Sequence, residues 1–301
     1  PAGPHPFVAI PILVVIVVVA VIAFGGVRRM ARPMNNLIEA ARRIESGDYS
    51  AKVPEWGSSD LRSVARAFNS MSDRLKTIDE QRRAFLADVT HELRTPLSVI
   101  RGQAEAISDG IYPADAAHLA PILEATRALE RLVADLRILT MTDAGNLDLH
   151  LEPIDLGALA HDGVESFRSQ AEASEVLLTA EVAGELPAVQ ADPARIRQVI
   201  GNLLSNAIRH TPPGGTVQVT AEAVGGSATL TVRDSGDGIS PELLPRVFER
   251  FVKGSGSTGS GLGLAIAQEI MAAHGGRLEI ESTVGQGTTA RLILPLAAKP
   301  A

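Results

Sequence analysis

Four groups of residues in this chain have types and spacings that could do chemistry. The first is His91-Glu92-Leu93-Arg94-Thr95-Pro96. His91 lies two residues from both Val89 and Leu93, so at about 100° per helical residue it points away from their apolar stripe. Thr95, four residues on, shares that outward face. The second is Asn202 and Asn206, at i and i+4. Two Asn inside a helix are poor for propensity, but they project amides onto one patch, where a hydrated metal and phosphates could be met. Magnesium keeps several waters and takes few protein ligands, so one amide oxygen suffices. The third is Asp234-Ser235-Gly236-Asp237-Gly238 after a strand. A short carboxylate there can accept from an exocyclic amine, and the glycines let a flat base approach the backbone. The fourth is Gly259-Ser260-Gly261-Leu262-Gly263-Leu264, which opens a helix and offers N–H groups and a positive dipole end to phosphates. Each has an ordinary reading when taken alone: a surface histidine, capping or solvated asparagines, a turn, a flexible loop. A dinucleotide fold would need the glycine motif after the first strand of a βαβ unit, and here it comes late.

The elements that must position these groups follow from periodicity. Met30, Met34, Leu37, Ala41 and Ile44 alternate spacings of four and three, a coiled-coil seam. GDYS and VPEWGSSD break it. A second seam runs Leu61, Val64, Phe68, Met71, Leu75 and Ile78. A third runs Leu86, Val89, Leu93, Leu97, Ile100, Ala104 and Ile107, out of phase with the second, and such a slip changes coiled-coil winding locally. Pro96 lies inside this helix at a cost of about 3 kcal/mol. DGIYPAD is a turn, and Leu119, Ile122, Leu129, Leu132, Leu136 and Leu139 mark a returning helix. Two such hairpins would make a four-helix bundle. From Leu151 strands alternate with helices. The expected strands are Val176–Glu181, Thr216–Ala221, Ala228–Arg233, Arg277–Ile280 and Ala290–Leu294. The expected helices are Leu156–Ala173, Pro193–Arg209 and Leu262–Ala273. This is an α/β sandwich with helices on one face of a mixed sheet.

Composition bounds the rest. Aromatics are 3% of 301 residues, so the core is built from Ala, Val, Leu and Ile. The net charge of -7 argues against nucleic-acid binding. There is no cysteine, which excludes disulfides and thiolate metal sites. Residues 7–24 are nearly all apolar and would span about 27 Å as a helix, close to a bilayer core. Arg28, Arg29 and Arg32 follow them and no Lys or Arg precedes them, which puts the C-terminal bulk in the cytoplasm. Residues 1–6 are then an extracytoplasmic stub. The chain begins with Pro, not Met, and is expected to be the C-terminal part of a longer protein.

Two resemblances connect these observations. Two short amphipathic helices and a linker beneath a span, with Pro33 near the start of the first, resemble a HAMP signal-relay domain, here residues 28–80. HELRTPL resembles the phospho-acceptor motif of sensor histidine kinases, in a dimerisation and phosphotransfer domain over 81–141. NLLSNAIRHTP, DSGDGI, FERF and GSGLGLAI, in that order, resemble the N, G1, F and G2 boxes of the histidine-kinase ATPase family, of GHKL or Bergerat type, over 151–298. The resemblance implies ATP and Mg2+, a homodimer through the HAMP coiled coil and the bundle, a membrane-lipid environment at the inner membrane, and a response-regulator receiver domain as partner. By it His91 is the nucleophile, Glu92 holds the other ring nitrogen or takes its proton, and Thr95 orients a water for dephosphorylating the partner. Asn206 is the magnesium ligand and Asn202 lies beside the phosphates. Asp234, with Gly236 and Gly238, reads the adenine amine, and Arg209 and His210 lie near phosphate and base. Phe248, Phe251 and Lys253 belong to the F box, with Lys253 reaching a phosphate. Gly259, Gly261, Leu262, Gly263 and Leu264 anchor a short lid over Gly254–Ser260. Alternatives are an ATPase of the same wider fold that does not act on a histidine, and a non-catalytic membrane scaffold.

Overall fold

The chain, seen here in a computed structural model, forms two units, residues 1–88 and 89–301. The structure describes residues 14, 16–20, 34–56, 58–143, 147–182, 184, 186–254 and 259–296. The expected membrane span lies mostly outside them. Residues 14 and 16–20 are helical, and no helix among the described residues is long and apolar enough to cross a membrane.

In the first unit, α1 covers residues 34–45. It ends where Gly47 takes φ 89°, with the Gly47 N–H on the Ile44 carbonyl and that of Asp48 on Arg43, the left-handed stop that glycine makes cheap. The chain then returns in an extended connector to α2 (Ser59–Ser108). Ala40, Ala51, Val53 and Ala65 form a small core, joined by Leu37, Ile44 and Phe68. Asn69 pins the connector by bonding both backbone groups of Val53, at 2.8 and 2.9 Å. Within the single chain, Leu37, Ile44 and Phe68 of the expected seams join this core, and other seam positions do not. Ala40 rather than Ala41, and Ala65 rather than Val64, turn inward because the connector claims one side of each helix. Met34, Val64, Met71 and Ile78 stay exposed.

The phase slip between the second and third seams does not interrupt α2, and Pro96 sits within it. A turn at Gly110 (φ 72°) leads to α3 (Ala116–Asp143). The expected hairpin seam is sorted by burial. Leu132 and Leu139 are buried, whereas Leu86, Leu97 and Leu119 are exposed together with Leu123 and Val133.

The rest of the second unit is the sandwich. It contains β1 (Glu152–Ile154), α4 (Leu156–Ala173), β2 (Leu177–Val182), β3 (Val189–Ala191), α5 (Pro193–His210), β4 (Thr216–Val224), β5 (Ser227–Asp234), α6 (Gly263–Ala273), β6 (Arg277–Thr283) and β7 (Gly287–Pro295). The main sheet has the order β2-β4-β5-β7-β6 and is mixed, with only the β2–β4 pair parallel. Strict alternation aims Val217, Val219 and Ala221 of β4 and Ala228, Leu230 and Val232 of β5 at the helices. α4, α5 and α6 cover that face. The small antiparallel pair β1–β3 was not expected from sequence.

The helix starts are capped as their residues demand. Asp155 accepts from Gly157 N and Ala158 N ahead of α4. Asp192 accepts from Ala194 N and Arg195 N ahead of α5, where Pro193 takes the position that needs no N–H. A buried histidine braces this corner. His274 Nε2 accepts from the Asp192 N–H at 3.0 Å, and its Nδ1 donates to the Ile270 carbonyl at 2.7 Å.

Candidate functional site

α5 carries two faces. Ile196, Val199, Ile200, Leu203, Leu204, Ala207 and Ile208 are buried, each large one contributing about 1.5–3 kcal/mol. That fixes the roll of the helix and presents Asn202, Asn206 and Arg209 on the other side. Asn202 Nδ2 donates to the Gly263 carbonyl at 3.0 Å. Arg209 reaches Ser205 Oγ at 3.3 Å and Asn206 Oδ1 at a long 3.5 Å. Partial desolvation, with Arg131 of α3 nearby, lowers the Arg209 pKa.

The turn after β5 is built around Asp234, which is buried. Its Oδ1 accepts from Gly236 N at 2.9 Å and Thr288 N at 3.0 Å. Both bonds fall on one oxygen, and Oδ2 has no hydrogen-bond partner among the described residues. Burial pushes the Asp234 pKa up, against those two N–H groups and the nearby His210. The His210 imidazole is held below its usual range by desolvation and then by Arg209, while Asp234 and Asp237 pull the other way. Gly238 is required: its φ is 71°, and a Cβ there would lie 2.2 Å from the Thr283 carbonyl oxygen.

Past the 3-10 turn Leu244–Arg246, Phe248 and Phe251 pack partly buried against the core. Phe251 has φ 62°, a strained value for a bulky residue. Its N–H donates to the Gly261 carbonyl at 2.9 Å, and a Cβ on Gly261 would strike the Phe251 backbone at 2.8 Å. This clamp joins the two sides of the expected lid, whose residues 255–258 lie outside the described residues. α6 then starts with no side-chain cap from Leu262, so its first turn keeps N–H groups without a capping side chain, while the Leu262 N–H itself reaches Ser260 Oγ at 3.3 Å. Leu262 is fully buried, so it anchors this segment in the core instead of lining the site. Leu264 is partly buried against the core.

On α2, His91 is 79% exposed, as its phase demands. Thr95 Oγ1 lies 3.5 Å from the His91 carbonyl oxygen. Glu92 Oε1 is 3.8 Å from His91 Nδ1, beyond hydrogen-bond reach. It accepts instead from Lys253 Nζ at 2.7 Å. Leu93 packs against the continuous core that α3 shares with the sandwich, and α3 packs on α6. The His91 segment of α2 and the segment that precedes α6 therefore meet within one unit, through Glu92 and Lys253. No hydrogen bond or ion pair among the described residues joins His91 itself to Asn202, Asn206 or Asp234.

The residues suit a purine nucleotide with its metal. An unpaired carboxylate oxygen in a buried turn matches an amine donor. Uncapped helical N–H groups match phosphate. Two side-chain amides beside them offer neutral oxygens suited to a hydrated divalent cation. Sequence reasoning missed Thr288, which donates through its backbone, so its side chain carries no signal. It also missed His274, whose position after a helix resembles an ordinary C-cap.

Comparisons with known proteins agree with this geometry. Residues 26–77 match the HAMP domain, residues 81–145 the His Kinase A (phospho-acceptor) domain, and residues 191–298 the histidine kinase-, DNA gyrase B- and HSP90-like ATPase family. The chain is 34% identical over 282 residues to the signal transduction histidine-protein kinase BaeS of Escherichia coli (strain K12), covering 92% of this chain and 60% of BaeS. It is 35% identical over 297 residues to the signal transduction histidine-protein kinase/phosphatase MprB of Mycobacterium ulcerans (strain Agy99), covering 93% of this chain and 57% of MprB. It thus spans about three fifths of the length of these relatives. Histidine kinase ThkA, solved in complex with response regulator protein TrrA, aligns with a TM-score of 0.58 at 25% identity, over 75% of this chain and 64% of that one.

Proposed function

We infer the activity of this chain from the family it belongs to, the sensor histidine kinases. It binds ATP with Mg2+ in the sandwich, transfers the γ-phosphate to His91, and passes it on to an aspartate of a response-regulator receiver domain. One observation carries this reading: Lys253, from the F-box segment beside the nucleotide site, touches Glu92, the residue next to the acceptor histidine.

Each residue has a task that its position supports. Asp234 Oδ2 accepts the adenine amine. The α6 N-terminus and Arg209 meet phosphate oxygens. Asn206, with Asn202 beside it, faces the metal, whose charge offsets that of the phosphates. Catalysis of phosphoryl transfer is then mostly positioning and electrostatic stabilisation. His91 Nε2 supplies the electron pair for the new N–P bond, the γ-phosphorus–oxygen bond breaks with its pair going to ADP, and the Nδ1 proton passes to Glu92.

Leu97, Leu119, Leu123 and Val133 leave large apolar side chains exposed on the hairpin. A second copy covers them in a four-helix bundle, as the first unit's exposed Met34, Val64, Met71 and Ile78 pair in a coiled coil. Residues 7–24 cross the inner membrane and leave the catalytic part in the cytoplasm. Thr95, exposed beside His91, supports phosphatase activity toward the regulator, a second activity printed in the name of MprB.

The test is labelling with γ-labelled ATP. The wild-type chain takes up acid-labile, base-stable phosphate with Mg2+, and Asn206→Ala does not. An Asn206→Ala protein that labels at the wild-type rate refutes the metal assignment.

A further inference from the structure

The Lys253–Glu92 pair is unexpected, because each residue was assigned a different partner. The same carboxylate oxygen that receives Lys253 Nζ at 2.7 Å is the one 3.8 Å from His91 Nδ1. As placed, Glu92 is not available to the histidine. Lys253 in turn is not available to a phosphate. Both side chains are only about a quarter exposed, at 26% and 23%, so the pair is shielded but not sealed. Lys253 also sits two residues beyond Phe251, whose backbone is clamped to Gly261 at the threshold of α6. The Lys253 backbone is therefore held close in sequence to this clamp, and its ammonium rides on a flexible stem with three donors.

We propose that Lys253 is a positioning residue that exchanges partners. Without nucleotide it holds Glu92 Oε1 away from His91. With ATP bound it turns to the triphosphate, which carries more negative charge than one carboxylate, and Glu92 is released to His91. This rests on the reading of the site as an ATP site. It couples the base to the substrate: the carboxylate that takes the Nδ1 proton becomes free only when there is a γ-phosphate to transfer. The step itself is balanced within the site. As Nε2 bonds to phosphorus and ADP departs with the electron pair of the broken P–O bond, the proton leaves Nδ1 for Oε1.

Carbodiimide coupling tests this on the unaltered full chain, because it joins a carboxylate to an amine only where they touch. Without nucleotide, mass spectrometry finds the amide-linked peptides of Glu92 and Lys253. A non-hydrolysable ATP analogue with Mg2+, its binding measured separately by displacement of a fluorescent nucleotide, lowers their yield about fivefold or more. Initial rates of labelling give the second readout. Lys253→Gln raises KM for ATP without lowering kcat, and Lys253→Arg restores KM, since Arg carries the same charge. The exchange is overturned if the linked peptides are absent without nucleotide, if their yield is unchanged with the analogue bound, or if Lys253→Gln lowers kcat at unchanged KM. An analogue that fails to bind overturns the ATP reading itself, and the exchange with it.

Discussion

Asn202 Nδ2 donates to the carbonyl oxygen of Gly263, 3.0 Å away. The bond runs from the polar face of α5 to the first residue of α6, so it ties together the two helices proposed to face metal and phosphate. Asn202 thereby does two jobs: it lies beside the proposed phosphates and it holds the helix start that receives them.

Removing that amide has a double effect. Asn202→Ala loses about 1 kcal/mol of stability with the hydrogen bond and loosens the α6 N-terminus. Calorimetry is expected to show a lower Tm without nucleotide and a smaller rise in Tm when the ATP analogue and Mg2+ are added. An unchanged nucleotide-induced rise would separate Asn202 from the phosphate site.

Asp234→Asn isolates base recognition from folding. The amide oxygen still accepts from Gly236 N and Thr288 N, as Oδ1 does now. The amide nitrogen replaces Oδ2 and sets a donor against the donor of the proposed adenine amine. The variant is expected to keep its Tm, because it also removes a buried charge, and to bind the ATP analogue at least tenfold more weakly, about 1.4 kcal/mol. Titration of a fluorescent nucleotide measures this.

Asp135 on α3 gives a pH dependence. Burial raises its pKa from 3.8 to about 6, against the pull of Arg131. The fold therefore favours the neutral acid. Below the unfolded value both states are protonated and no penalty exists. As pH rises through about 6 the folded chain must ionise a desolvated carboxylate, and stability is lost. Asp135→Asn is expected to raise Tm by about 2–4 °C at pH 8 and to leave it unchanged at about pH 3, below the unfolded value, as followed by circular dichroism.

Much of this was legible in the sequence, for identifiable reasons. The expected strand Thr216–Ala221 alternates cleanly, so period two located it within Thr216–Val224, and the two-faced pattern of α5 located the asparagine patch. The outward phase of His91 followed from Val89 and Leu93. What escaped depended on contacts between distant segments. Val53 and Ala51 are buried because Asn69 and Ser72 bond the connector, which no local pattern records. β1 and β3 have three residues each, too few for periodicity. Lys253 and Glu92 are 161 positions apart, and each carries a plausible local role that hides the other.

The central claim is that His91 receives the γ-phosphate of ATP. The most direct measurement incubates the full chain with γ-labelled ATP and Mg2+, then maps the label by mass spectrometry under non-acidic conditions. The account predicts phosphate on His91 and none on His91→Gln, which stays folded because the side chain is 79% exposed. Label that persists undiminished in His91→Gln, or wild-type chain that binds ATP yet never labels, would contradict it.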